Sequence, residues 1–451
     1  MQSQTPRVRV ARGRDEARET VLQRVPLDRT ALPAEMQAAL ERAFGRPLSP
    51  EEAVAEIIQR VSQEGDLALW YYTKLLDGVE PTGFRVSSDD IERALNEADP
   101  ELLSALRLAV DRIRRFHQRQ PAASWLAWEG DGALGQMIRP LQRVGIYVPG
   151  GTAPLASTVV MTAVPAQVAG VGEIVLCSPP QGQSGLPHLT VLAAASVAGV
   201  DAVYGVGGAQ AIAAMAFGTE SIPRVDKIVG PGNLFVVLAK RALFGVVGIE
   251  SLPGPTETLI IADETAHPRL VAADLLAQAE HVMASAILIT PSEALAAAVR
   301  AEVESQLSGL DTAEAARQSL SQRGGMVICR DLDEAVELAN EYAPEHLCLA
   351  VAKPWELLPL VRNAGGVFLG EHSSEALGDY VVGPSHVMPT GGTARFASPL
   401  NVWDFVKITS VFALGRGSAG ELGPAAATLS AAEGLSAHCS AIRMRRDCDL
   451  E

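Results

Sequence analysis

The sequence predicts an α/β protein with two domains, each a parallel sheet wrapped by helices, and helical segments at both ends. Three observations lead there. The chain has 451 residues, more than one core can use, because single cores stop growing near about 250 to 300 residues. Hydrophobic residues make up 48% and charged residues 20%, the balance of an ordered globular protein. From Arg143 onward short apolar runs alternate with alanine-rich ones, the rhythm of strands and helices in a parallel sheet.

In chain order, residues 1–39 read as a helical segment and 40–146 as helices with charged outer faces. In "SPEEAVAEIIQRVSQEGDLALWYYTKLL", Ser49 and Pro50 mark a helix start and apolar residues follow at helical spacing. Next come "RVGIYVPGG", "STVVMTAVPAQVAG", "EIVLCSPP", "LTVLAAASVAG", "AVYGVGG", "AQAIAAMAFG", "KIVGPGN" and "LFVVLAKRALFG", an α/β domain over 147–256. "LPGPTE" is the crossing point to a second α/β stretch, "TLIIAD" to "GGVFLG". That stretch, 257–400, joins 40–146 in one domain. Residues 401–451 read as a helical tail ending in a charged run. No internal repeat of fixed period is present.

Several function classes are excluded. With 37 basic and 53 acidic residues the net charge is −16, which repels a phosphate backbone. The arginine clusters at Arg112 to Arg119 and Arg443 to Arg446 are too short to form a basic stripe. The N-terminus carries no apolar segment of the secretory kind. The weakly charged stretch from Leu189 to Gly218, broken by Asp201 and "GVGG", reads as buried core and not as a membrane span. Five cysteines (Cys177, Cys329, Cys348, Cys439, Cys448) show no CxxC spacing, which fits free thiols in a reducing cytoplasm. No GxxxxGK[ST] loop is present, against an ATP or GTP hydrolase.

Three glycine loops fall where a strand ends and a helix begins: "PGGT" (149–152), "GVGGAQ" (205–210) and "GPGN" (230–233). Such loops let backbone N–H groups and a helix N-terminus approach a phosphate, as a dinucleotide requires. None completes GxGxxG, since Gln210 stands at the third glycine position, so ordinary tight turns remain the alternative.

The eight histidines divide evenly. His117, His188, His267 and His372 read as surface residues. The other four sit in polar clusters within apolar surroundings: "QAEH" (Gln278, His281), "PEH" (Glu345, His346), "GDYVVGPSH" (Asp379, His386) and "EGLSAH" (Glu433, His438). On one helix, Gln278 and His281 at i and i+3 share a face with Asp274, a set suited to zinc or manganese; a polar helix end satisfied by backbone is the alternative. The turn before a strand at Leu347 carries Glu345 and His346, an adjacent carboxylate and imidazole able to divide water activation and proton removal. A turn-capping acid beside a half-buried histidine is the alternative there.

Together and in this order, "GIYVPGGTAPLASTVVM", "GVGGAQAIAAMAFGT", "KIVGPGN", "GPTE", "DLLAQAEH", "YAPEHL", "AGGVFLG", "GDYVVGPSHVMPTGGTARF" and "EGLSAH" resemble the histidinol dehydrogenase family from about residue 40 to the end. The resemblance implies two Rossmann-like, incompletely doubly wound domains, 147–256 binding NAD and 40–146 plus 257–400 being catalytic. It further implies one zinc per subunit on Gln278, His281, Asp379 and His438, and Glu345 and His346 as the catalytic acid–base pair. Substrate contacts would come from Thr256, His386 and Glu433 together with the zinc ligands and His346, and Tyr147, Gln210 and Asn233 would line the NAD site. The implied reaction is oxidation of L-histidinol to L-histidine in two NAD-linked steps through a held aldehyde, in a cytoplasmic homodimer whose terminal segments embrace the partner and bring His438 and Glu433 to its site.

This sequence departs from the family pattern at Thr256 (more often Ser), Ser385 (usually Asn) and Met388 (usually Leu), none of them a ligand. A relative on the same scaffold that oxidises another small polar alcohol, such as a sulfonated diol, would keep NAD and the base but change the substrate contacts. A non-catalytic metal- or nucleotide-binding protein would have no use for the Glu345–His346 pair.

Overall fold

The computed structural model describes residues 8–24, 34–150, 154–182, 185–281 and 283–447. The chain divides into two compact units, residues 1–119 with 142–405, and residues 120–141 with 406–451.

The strands in chain order are β1 (Val10–Arg12), β2 (Trp125–Glu129), β3 (Gly132–Pro140), β4 (Arg143–Tyr147), β5 (Glu173–Ser178), β6 (Ala202–Gly205) and β7 (Lys227–Val229). They continue with β8 (Gly248–Ile249), β9 (Glu257–Ala262), β10 (Ser285–Thr290), β11 (Gly325–Ile328), β12 (His346–Ala350), β13 (Gly366–Leu369) and β14 (Val406–Ala413). The first unit holds two sheets, each parallel throughout: five strands in the order β6-β5-β4-β7-β8 and six in the order β1-β11-β10-β9-β12-β13. The expected α/β class, with two parallel sheets wrapped by helices, is met, and both sheets lie in the first compact unit. In both, a central strand is flanked by earlier and later strands on opposite sides, which opens a crevice where the winding reverses, between β4 and β7 and between β9 and β12.

Burial on both faces explains the unbroken apolar runs. In the six-stranded sheet, Ile260, Leu288, Met326 and Cys348 pack on one face with the helices Pro268–Ala279 and Glu293–Leu307. Leu259, Ile261, Ile287, Val327 and Leu347 pack on the other with the helix Leu332–Tyr342. The period-2 alternation of a strand thus feeds two cores at once.

Local signals act as read. Ser49 caps the helix Pro50–Glu64 in a full capping box with Glu52, satisfying two otherwise orphan donors. The stretch from Leu189 resolves into helix, strand β6 and helix, nearly all buried. Among the described residues no helix is long and apolar enough to cross a membrane.

Three segments expected to be helical also supply strands, one of them 40–146, which holds β2 and β3. Residues 10–12 add the edge strand β1 to the six-stranded sheet before the helix Gly13–Glu19; three residues are too few to show a period. The C-terminal segment begins with β14, which pairs antiparallel with β3 in a three-stranded sheet completed by β2. In this second unit the helices Arg416–Ala432 and Ser436–Asp447 follow, and Asp131 accepts the N–H groups of Gly417 (2.7 Å) and Ser418 (3.0 Å) at the start of the first, where a negative charge is favoured.

One buried ion pair fixes the turn after β7. Lys240 Nζ lies 2.8 and 2.7 Å from the two oxygens of Glu250 and donates to the Gly230 carbonyl at 3.0 Å, while the Gly230 N–H donates to Glu250 at 2.8 Å. Gly230 has φ +111°, and a Cβ there would strike the Tyr147 carbonyl oxygen, so the position requires glycine. Replacing Lys240 by Met strands a buried carboxylate. The expected outcome in urea unfolding is a loss of about 3–5 kcal/mol, with most of it recovered in the double variant Lys240→Met/Glu250→Leu.

Candidate active site

Two of the cavities in the first unit gather the predicted site residues. One, of about 460 Å³, opens at the carboxyl ends of β4 and β7 and is lined by Tyr147, Gly208, Gln210, Asn233 and Phe235, with Phe44, Ile57 and Asp77 from the N-terminal helices. Here the three residues expected at the NAD site come together. The Gly208 N–H, at the start of the helix Gly208–Phe217, donates to the Tyr147 hydroxyl at 3.0 Å. Asn233 caps the helix Leu234–Leu243, its Oδ1 accepting from the N–H groups of Phe235 (3.1 Å) and Val236 (3.2 Å). Gln210 is buried and its Oε1 has no hydrogen-bond partner. Of "PGGT", Pro149 and Gly150 line the cavity, and positions 151–152 lie outside the described residues.

The second cavity, of about 240 Å³, lies at the amino ends of β9 and β12. Thr256, Gln278, His281, Glu345, His346, Asp379 and His386 all line it. This is the opposite edge from the carboxyl-end crevice where open α/β sheets usually bind ligands. Glu345 is the last residue of the turn and His346 the first of β12; both are buried. Glu345 Oε2 accepts from Thr256 Oγ1 at 2.6 Å and from the Glu257 N–H at 3.0 Å. Burial raises its pKa to about 7, partly opposed by His346 and these donors, so both protonation states are within reach near neutrality.

His346 Nδ1 lies 3.2 Å from the Glu257 carbonyl oxygen. That contact requires a proton on Nδ1 and leaves Nε2 free; Nε2 is buried without a hydrogen-bond partner, 3.7 Å from Asp379 Oδ1. Burial opposes charge on this ring, but Glu345, Asp379 and Glu375 outweigh it and raise its pKa to about 10. His386 is held differently: Nδ1 lies 2.8 Å from the Asp379 carbonyl oxygen and Nε2 3.2 Å from Thr158 Oγ1, and burial pushes its pKa down.

The reading of "QAEH" as one helix face needs correction. The helix ends at Ala279, Glu280 is its cap, and His281 lies beyond it in a turn whose N–H bonds the Gln278 carbonyl at 3.1 Å. The turn still delivers both side chains to the same cavity. Asp274 is absent from that lining and accepts from Ser374 at 3.0 Å. Gln278 Oε1 lies 2.9 Å from Thr256 Oγ1. A hydroxyl has one proton, and the 2.6 Å contact to Glu345 claims it; turned over, the Gln278 amide donates to Thr256 and presents its carbonyl oxygen to the cavity.

Glu433 and His438 belong to the second unit, where both are exposed, Glu433 capping the helix Arg416–Ala432 and His438 in the helix Ser436–Asp447. Of the histidines expected at the surface, His267 and His372 are exposed, His188 is half-buried and caps the helix Leu189–Ala198, and His117 is fully buried. His117 ends the amphipathic helix Pro100–His117 on its inner face, which the charged residues around it conceal in the sequence. Glu375 went unread: fully buried, it accepts from Thr258 and faces Cys348 Sγ at 3.8 Å. Its spacing of four from Asp379 is the available signal.

A model of the family described as histidinol dehydrogenase matches residues 44–446. The chain belongs to the histidinol dehydrogenase family. It is 55% identical over 416 residues to the histidinol dehydrogenase of Deinococcus radiodurans, covering 92% of this chain and 95% of that one. To the enzyme of Thermus thermophilus it is 53% identical, covering 88% and 94%. The crystal structure of the histidinol dehydrogenase from Elizabethkingia anophelis superposes with a TM-score of 0.88 at 34% identity, covering 97% and 98%. The family reading from sequence motifs is borne out, and membership makes this chain an oxidoreductase.

Among the described residues no three His, Cys, Asp or Glu side chains form a group able to hold a metal ion. The chain instead brings an amide, an imidazole and a carboxylate (Gln278, His281, Asp379) to one cavity, oxygen and nitrogen donors acceptable to a borderline divalent cation. The crowd of carboxylates about His346 fits added positive charge there. Thr256→Val removes the hydroxyl that Glu345 and Gln278 share. It should lower kcat/KM for histidinol at least about tenfold, the loss of one charge-assisted hydrogen bond, while Thr256→Ser stays within about threefold; steady-state kinetics of the two variants decide this.

Proposed function

We propose that the chain oxidises L-histidinol to L-histidine in two NAD-linked steps, with one zinc per subunit and without release of the aldehyde between them. The observation that supports this best is the buried Glu345–His346 pair opening on the same cavity as Gln278, His281 and Asp379.

In the first step the carbinol carbon gives up a hydride as its hydroxyl loses a proton. His346 Nε2 faces the cavity without a partner and takes that proton, while the Nδ1 bond to Glu257 keeps the ring in place. The aldehyde then gains water. Both hydrogen bonds to Glu345 go to Oε2, which leaves Oε1 to draw a proton from water as it adds to the carbonyl. With that proton on Glu345 the adduct is the hydrate anion, which loses a second hydride and its remaining hydroxyl proton to give the carboxylate, and NAD when bound would supply the acceptor for each hydride. Zinc held by Gln278, His281, Asp379 and His438 would fix the amino and imidazole nitrogens of the substrate and offset the negative charge that favours imidazolium at His346. His386, with both ring nitrogens already engaged, acts as a fixed wall that orients the substrate.

The active species in this reading is a homodimer in which His438 and Glu433 serve the site of the second copy. The exposed apolar side chains of the second unit support it: Trp128 (79%), Phe412 (73%) and Leu429 (66%), with Trp125 and Ile408 about half exposed. A monomer rarely leaves so many large apolar groups in water on one small unit. Residues 147–256 then form the NAD domain and 40–146 with 257–400 the catalytic domain. The four described cysteines are free, which supports the cytoplasm as the compartment.

Two NADH per histidinol are expected, with activity lost to a chelator and restored by zinc. One NADH per histidinol, or full activity in a metal-free preparation, overturns the corresponding part of the reading. Mixing the inactive variants Glu345→Gln and His438→Ala under exchange conditions should restore up to about a quarter of wild-type activity, since about half the subunit pairings are mixed and each of these keeps one of its two sites intact; no recovery places His438 in its own subunit's site.

A further inference from the structure

Asp77 has no role in the reaction as described, yet it is one of the less comfortable carboxylates in the chain. It ends the π-helical turn Thr73–Asp77, ahead of Gly78 in the left-handed region, and lines the 460 Å³ cavity with Tyr147 and Gln210. Its Oδ2 is buried with no hydrogen-bond partner. Burial alone raises its pKa to about 6, so it is still a carboxylate at neutrality. A buried, unsatisfied carboxylate costs stability, and one facing a cavity points to a donor supplied by a ligand.

The surroundings narrow that ligand. No Lys, Arg or His lines the cavity among the described residues, so an anionic group beside Asp77 would be repelled with nothing to offset it. Hydroxyl groups are the fitting donors. Phe44, Ile57 and Phe235 give apolar and aromatic walls beside the carboxylate, suited to the flat face of a purine. The hydride-accepting end of the cofactor must instead reach the cavity that holds His346. The half lodged near Asp77 is therefore the adenosine half.

We propose that Asp77 accepts hydrogen bonds from the 2′- and 3′-hydroxyls of the adenosine ribose and thereby selects NAD over its 2′-phosphorylated form. A carboxylate serves this purpose in dinucleotide folds generally, from a position about 20 residues beyond the glycine loop; here it comes from a helical turn before the sheet begins. The proposal rests on the reading of this cavity as the NAD site.

The test is steady-state kinetics with NAD and with NADP for the wild type, Asp77→Asn and Asp77→Ala, with melting temperatures alongside. Both variants should raise KM for NAD about tenfold or more, as expected for a lost hydrogen bond to a charged group, with kcat within about twofold. The NADP to NAD ratio of kcat/KM should rise about tenfold. Melting temperature in the absence of cofactor should hold or rise, since no protein partner is lost. An unchanged KM for NAD with unchanged discrimination overturns the proposal, and a lowered melting temperature with unchanged KM makes Asp77 a structural residue. A wild type that reduces neither cofactor overturns the NAD reading itself, and the proposal with it.

Discussion

The site depends on one carboxylate being held out of water at the end of a sheet. Glu345 Oε2 is bound by a side-chain hydroxyl and a backbone N–H that are consecutive in the chain, Thr256 and Glu257. Glu257 begins β9 with Thr256 just before it, and β12 begins immediately after Glu345. The two strands are hydrogen-bonded neighbours, so the register of the sheet places the acid. His346 follows by the same register, Cα-paired with Thr258 and bonded to the Glu257 carbonyl. An error of one residue in that pairing would turn every side chain of β12 to the opposite face, and with it the imidazole.

Charge follows from this placement. Glu345, Asp379 and Glu375 all bear on His346, and Glu345 and Glu375 each have a pKa raised by burial to about 7. Burial makes ionisation costly for Glu345 and Glu375, which therefore hold protons more readily than in water. At Asp379 the close approach and charge of His346 outweigh burial and keep its pKa below the usual carboxylate range. The property of the two glutamates suits a site that must take up and pass on protons without losing them to permanent ionisation. It also explains why Glu375, remote from the cavity lining, belongs to its electrostatics.

Much of this was legible in the sequence because parallel sheets buried on both faces require long apolar runs, and "TLIIA" and "AILIT" have no other ready use. Glu345 and His346 were legible because they are adjacent and interrupt such a run. His281 was assigned to a helix because spacing carries no mark of where a helix frays, and here it stops two residues early. The strand β14 was concealed because six of its eight residues are exposed, so burial does not enforce a two-residue alternation. Asp77 gave no signal at all: "KLLDG" reads as an ordinary helix end, and only the fold brings it to Tyr147, seventy positions on.

The two cavities have no lining residue in common. The turn after β7 touches both, Asn233 facing one and Pro231 the other, and that turn is the one clamped by Lys240 and Glu250. Under the proposed assignment of the two cavities, substitutions that alter the grip on the nucleotide and those that alter the grip on the alcohol fall on separate sets of positions. A lineage built on this scaffold could exchange one preference while conserving the other, provided the clamped turn stayed intact. The same separation exposes a single point of failure: damage to the clamp would misalign donor and acceptor together, although neither recognition surface had changed.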